Sequence, residues 1–118
     1  MGKPAAILYH NPRCSKSRQT LELLRAQGLE PEIVEYLKTP PTAAELERIL
    51  KLLGREPREL LRTGEAEYRQ LGLDDPALTH EALIQAMVDH PKLIERPILL
   101  TQHKAALGRP PENVLEIL

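Results

Sequence analysis

The sequence predicts an α/β protein built on one mixed sheet, in the order βαβ, helical insertion, ββα. Three observations predict it. A short apolar run, "AAILYH" (5–10), precedes a helix-forming stretch and a second strand-like run, "PEIVEYL" (31–37). The middle of the chain, about 40–91, carries helical patterning only. Two further strand-like runs and a proline-led segment then close the chain.

Each element has its reason. "AAILYH" runs into the Asn11-Pro12 turn and reads as a buried strand. "SKSRQTLELLRAQG" (15–28) joins good helix formers, with Leu21 and Leu24 on one side, to a stop at Gly28. With "PEIVEYL" it makes a βαβ unit, whose strands lie parallel with a right-handed crossover. In "TPPTAAELERILKLLG" (39–54), Thr42 and Glu45 have the spacing of a capping box, and Leu46, Ile49, Leu50 and Leu53 recur as one apolar stripe. "PRELLR" (57–62) and "EAEYRQLGL" (65–73) predict short helices. "LTHEALIQAMVDHP" (78–91) predicts a longer one with Leu83, Ile84, Met87 and Val88 on its apolar face. "RPILLTQ" (96–102) and "KAALG" (104–108) can pair as a hairpin across a short turn. "RPPENVLEIL" (109–118) predicts a closing helix, with proline in the first turn where its missing N–H does no harm. One mixed sheet with helices on both faces is a thioredoxin-like layout. A chain of 118 residues fits one such domain with a helical insertion at about 40–91.

Composition narrows the function classes. Hydrophobic content of 42% and charged content of 28% are ordinary for a globular protein, and without Phe or Trp the core must be aliphatic. A net charge of −1 lacks the basic footprint of a nucleic-acid binder. The apolar run in "MGKPAAILYHNP" is too short for a signal peptide, and no stretch reaches the length of a membrane span. One cysteine cannot make an internal disulfide, so a cytoplasmic protein is expected. His10, His80, His90 and His103 have no metal-ligand spacing with one another or with Cys14, so no metal is expected. A monomer is expected too, because helices covering the sheet leave no surplus apolar face.

The chemistry concentrates at Cys14, the sole cysteine, in "LYHNPRCSKSRQTLELL" (8–24). A lone cysteine is commonly a small buried hydrophobe. Position argues otherwise here. Between a strand end and a helix start, the sulfur meets unpaired backbone N–H groups and the positive end of the helix dipole. Those groups favour the thiolate, and Arg13, Lys16 and Arg18 act in the same direction. Cys14 is therefore a candidate nucleophile. A dithiol C-x-x-C motif is excluded, because its fourth position is Ser17, and a C-x5-R phosphatase loop is excluded by Thr20. What remains is a monothiol mechanism whose resolving sulfur comes from outside, such as glutathione.

The segment "YHNPRCSKSRQTL" closely resembles the active-site segment of the glutaredoxin-dependent arsenate reductase family, the ArsC type. The resemblance spans nearly the whole chain and includes "LLRTGE…Y..LGL" (60–73), "LIERPILL" (93–100) and "ALGRPPENVLEIL" (106–118). It implies a thioredoxin-like fold with a helical insertion, a catalytic cysteine at Cys14, and oxyanion-binding arginines at Arg62, Arg96 and Arg109. It also implies a histidine near the thiol at His10 and a cis bond between Arg96 and Pro97. Arsenate is a tetrahedral oxyanion, which guanidinium groups hold by forked, charge-assisted hydrogen bonds. Backbone N–H groups of residues 15 to 18 would complete the cradle. Ser15 and Ser17 are candidates to hydrogen-bond the thiolate or substrate, and at least one of them is expected to cap the helix. The implied partners are arsenate, glutathione as co-substrate and glutaredoxin, with no tightly bound cofactor. One departure stands out. "SKS" follows the cysteine where the best-known enzymes of this type carry Gly-Thr-Ser, so Lys16 adds a charge beside the thiol. Two other readings share the fold: a Spx-like regulator that binds RNA polymerase, whose C-x-x-C switch Ser17 removes, and a general glutathione-linked thiol reductase.

Overall fold

The computed structural model describes residues 6–118. Ala5, the first residue of the expected first strand, lies outside the described residues. Four strands and five α-helices follow in the expected order. They are β1 (Ala6–His10), α1 (Ser15–Ala26), β2 (Glu32–Glu35), α2 (Ala43–Leu53), α3 (Pro57–Leu60), α4 (Ala66–Gln70), α5 (His80–Asp89), β3 (Ile98–Thr101) and β4 (Ala105–Leu107). The sheet has the order β2-β1-β3-β4. β1 and β2 are parallel, with Leu8 opposite Ile33. β3 runs antiparallel to both β1 and β4. This is the thioredoxin-like mixed sheet that the element order predicts.

The chain divides into two compact units: one holds the chain up to Thr39 together with Arg96–Leu118, the other Pro40–Glu95. The first contains the whole sheet and α1. Its core gathers Ala6, Leu8, Leu24, Leu99, Ala106 and Val114, with Leu21, Leu29, Ile33, Leu115 and Ile117 packed around them. Leu8, Leu24 and Leu99 are fully buried, and each contributes about 1.5–3 kcal/mol by leaving water. Helix α1 stops two residues earlier than the sequence predicts, and the chain turns away at Gly28, whose φ of 81° is left-handed.

The second unit packs α2 and α3 against α5. Leu46, Ile49 and Leu50 of α2 and Leu83, Ile84 and Met87 of α5 are its buried stripes. Thr42 and Glu45 close the capping box that their spacing predicts. The Glu45 N–H donates to Thr42 Oγ1 at 3.1 Å and the Thr42 N–H to Glu45 Oε1 at 2.8 Å. Thr42→Ala should lower stability by about 1 kcal/mol in urea unfolding, with an unchanged slope.

α5 and the closing segment also depart from their sequence patterns. α5 finishes at Asp89, because Pro91 biases His90 out of helical geometry (φ −133°, ψ 76°), and a 3₁₀ turn spans Pro91–Leu93. The closing segment is not an α-helix. It is a 3₁₀ helix, Pro111–Ile117. Its inward residues explain the tighter winding: Pro111 and Val114 are buried and Ile117 half-buried, a repeat of three that matches 3.0 residues per turn.

Candidate active site

β1 delivers the chain to His10, and the turn Asn11–Arg13 carries it into α1. Asn11 shapes that turn. Its Oδ1 accepts the Arg13 N–H at 3.0 Å, its carbonyl accepts the Cys14 N–H at 3.0 Å, and its own N–H donates to Ser17 Oγ at 3.0 Å. Arg18 Nη1 donates to the Pro12 carbonyl at 2.9 Å. The loop is thus fastened at both ends to the first turn of the helix.

Cys14 is itself the N-cap, with extended backbone (φ −91°, ψ 125°) and no side chain capping the helix. This corrects the expected serine cap. Ser15 and Ser17 stand inside the helix, Ser15 exposed and Ser17 buried. The Ser17 hydroxyl is occupied by the Asn11 N–H and by His10 Nδ1 at 2.6 Å. The expected cradle also shortens. The Arg18 N–H makes the first helical hydrogen bond, to the Cys14 carbonyl at 3.0 Å, leaving the N–H groups of residues 15 to 17 at the helix mouth.

The thiol is half-buried. Burial pushes it up, but the Ser17 N–H, the Arg96 guanidinium, the Lys16 N–H and the Arg109 guanidinium more than offset this, and the thiol lies below its ordinary value. The rate of Cys14 alkylation plotted against pH should therefore have its midpoint below the free-thiol value of about 8.5. A midpoint at or above that value would overturn the electrostatic account.

His10 is buried, and burial holds its imidazole below the ordinary value; Glu35 opposes this, while Arg25 and Arg18 reinforce it. The ring is therefore neutral at pH 7. Ser17 Oγ accepts from the Asn11 N–H and also pairs with His10 Nδ1, the ring tautomer setting which of the two donates. His10 thus reaches the thiol's surroundings through Ser17, whose backbone N–H faces the sulfur.

Arg96 and Arg109 stand at the same end of the β3–β4 hairpin. The Gly108 N–H donates to the Pro97 carbonyl at 2.8 Å, one step beyond the Ile98–Leu107 pair, and Arg109 Nη1 donates to the Arg96 carbonyl at 3.2 Å. The Arg96–Pro97 bond is cis, as the resemblance implies, and so is Arg109–Pro110. Arg62 belongs to the other unit. There its N–H donates to the Leu93 carbonyl at 2.7 Å, and its guanidinium pairs with Glu65 at 3.2 Å and Glu95 at 3.8 Å. The structure therefore gathers Cys14, His10, Ser17, Arg96 and Arg109 in one unit and leaves Arg62 among carboxylates in the second. Among the described residues, no group of three or more His, Cys, Asp or Glu side chains could hold a metal.

The ArsC family's sequence profile matches residues 9–117, which span the cysteine loop and both hairpin arginines. The chain belongs to the ArsC family. It is 60% identical over 112 residues to "Uncharacterized protein YfgD" of Escherichia coli (strain K12), covering 94% of each chain. It is 48% identical over 116 residues to the arsenate reductase of Neisseria meningitidis serogroup A, covering 98% of this chain and 99% of that one. Among solved structures, the arsenate reductase from Vibrio cholerae superposes with a TM-score of 0.95 at 49% identity, covering 99% of this chain and 100% of that one. The ArsC fold thus accounts for the whole described chain. What the sequence did not disclose is the wiring around the sulfur. The Ser17 hydroxyl accepts the Asn11 N–H and pairs with His10 Nδ1, and the two N–H groups that lower the thiol are those of Lys16 and Ser17.

Proposed function

We propose that this protein is an arsenate reductase that works through one nucleophilic cysteine, with glutathione and glutaredoxin as the electron donors. The observation that carries the reading is the Cys14 sulfur at the mouth of α1, facing two backbone N–H groups and the guanidinium charges of Arg96 and Arg109. Such a place suits a tetrahedral oxyanion and an ionised thiol together. The ArsC relatives named arsenate reductase, at 48% and 49% identity, support the same substrate.

The reaction runs in four steps. The Cys14 thiolate attacks arsenic(V), and water leaves as an S–As bond forms. Glutathione's thiol then adds to the arsenic, and a second water leaves. Glutaredoxin's thiolate attacks the glutathione sulfur, forming a mixed disulfide. The S–As electron pair stays on arsenic, which falls from +5 to +3. Hydrolysis of the remaining S–As bond frees arsenite and restores the Cys14 thiolate. Arg96 and Arg109 hold the oxyanion and offset the charge that develops on its oxygens. The resemblance assigns Arg62 to the oxyanion as well, and in its own unit its guanidinium is paired with Glu65 and Glu95. Ser15, exposed at the first position of α1, offers its N–H to the substrate. No tightly bound cofactor enters the scheme, and the reading describes a cytoplasmic monomer. No helix among the described residues is long and apolar enough to cross a membrane.

The test is arsenite formation from arsenate with glutathione and glutaredoxin, omitting each component in turn. Turnover that requires all of them supports the reading. Disulfide reduction without arsenite formation would instead favour a general thiol reductase, and no turnover with either substrate a binding protein.

A further inference from the structure

Gly108 is buried, and no special backbone angle accounts for it; space does. A Cβ placed there would stand 2.7 Å from Thr20 Oγ1, 2.9 Å from Pro97 Cγ and 3.3 Å from Thr20 Cγ2. Nonbonded carbons normally keep roughly 3.5–4.0 Å, so the helix and the hairpin approach as closely as a residue without a side chain allows. Thr20 is fully buried, and its Oγ1 donates to the Lys16 carbonyl at 2.8 Å, which fixes the rotamer that meets Gly108.

We propose that Thr20 is a positioning residue, whose contact with Gly108 and Pro97 sets the separation between the helix mouth that presents the Cys14 sulfur and the strand pair that carries Arg96 and Arg109. The proposal rests on the proposed role of Cys14 and the two arginines.

Both sides of the contact lead directly to the site. On the helix side, Thr20 is bonded to Lys16, whose N–H is one of the two that face the sulfur. On the hairpin side, Gly108 precedes Arg109 and bonds to Pro97, which follows Arg96, while Arg109 Nη1 holds the Arg96 carbonyl. The hairpin end therefore moves as one piece. A displacement at Gly108 carries both guanidinium groups away from the sulfur together. Coulombic attraction falls with distance and with the water admitted between charges, so a small displacement weakens both contributions. Thr20 also occupies the position that excludes a phosphatase loop in the sequence. It supplies no charge to the anion; it supplies the fit that lets charges from the hairpin serve instead.

The test is the pH profile of Cys14 alkylation by iodoacetamide in the full chain, a readout that needs no arsenate turnover. Gly108→Ala should raise the midpoint by about one pH unit. Adding Thr20→Ala removes both Oγ1 and Cγ2 and leaves only Pro97 Cγ close to the new methyl, so it should bring the midpoint most of the way back towards wild type. Adding Thr20→Val instead keeps the bulk and should leave the midpoint raised, which separates size from the lost hydrogen bond to Lys16. Should Gly108→Ala fail to fold by circular dichroism, the Gly108→Ala/Thr20→Ala pair decides: the proposal requires it to fold with a midpoint nearer to wild type than that of Gly108→Ala/Thr20→Val. A wild-type midpoint in Gly108→Ala alone, or a double variant no closer to wild type than the single, overturns the proposal. A chain that gives these profiles but makes no arsenite leaves the positioning role standing and sinks the reductase reading.

Discussion

Cys14→Ser should abolish arsenite formation, by at least about a thousandfold, while leaving the fold intact. The large effect follows from the absence of any substitute: Cys14 is the only cysteine, so no other protein sulfur can form the S–As bond. A serine hydroxyl at the same place is no replacement, since it stays protonated where the thiol ionises. The small structural effect follows from the environment. Cys14 is half-buried, and it caps α1 through its backbone rather than its side chain. Thermal unfolding of the variant should move by no more than a few degrees, the shift expected of a change of about 1 kcal/mol or less. Residual turnover within tenfold of wild type would mean that another group is the nucleophile.

Arg96→Ala and Arg109→Ala should each cut kcat/KM for arsenate by about a hundredfold to a thousandfold, with Arg96 the more damaging. Arg96 is half-buried and lowers the thiol more than the exposed Arg109 does, so less water screens its charge. Two effects combine in each variant: a weaker hold on the oxyanion and a smaller thiolate fraction at neutral pH. Alkylation profiles separate them, because the second moves the midpoint upward even without arsenate. Lysine at either position should recover the midpoint better than it recovers turnover, since it keeps the charge but loses the planar fork. The losses should not add in the double variant, because Arg109 donates to the Arg96 carbonyl and both charges face one sulfur. An unchanged KM and kcat in Arg96→Ala would remove the anion cradle from the mechanism.

Much of this was written locally in the chain. The βαβ start, the Thr42–Glu45 cap and the hairpin each depend on residues near one another in sequence, and each forms as the pattern predicts. The position of Cys14 was legible for the same reason, since an Asn-Pro turn before a run of helix formers fixes where the helix mouth falls. The closing segment was not. Its aliphatic residues fit both an α-helical stripe and a repeat of three, and only burial of Pro111 and Val114 selects the 3₁₀ form. The serine at position 17 was equally ambiguous: a hydroxyl two residues into a helix can face a ligand, a cap or the core, and His10 and Asn11 claim it. For Arg62, the Glu65 partner stands one helical turn away in sequence, but Glu95 comes from a distant segment that no local pattern reveals.

The hairpin that carries Arg96 and Arg109 also has a far end. Its turn closes at Thr101 and Lys104, where the Thr101 N–H donates to the Lys104 carbonyl and residues 102–103 are exposed. The rungs between the two ends set the spacing of the guanidinium pair, so exchanging a residue at the exposed tip should leave that spacing unchanged. A reporter group attached through such an exchange would leave the chemistry undisturbed.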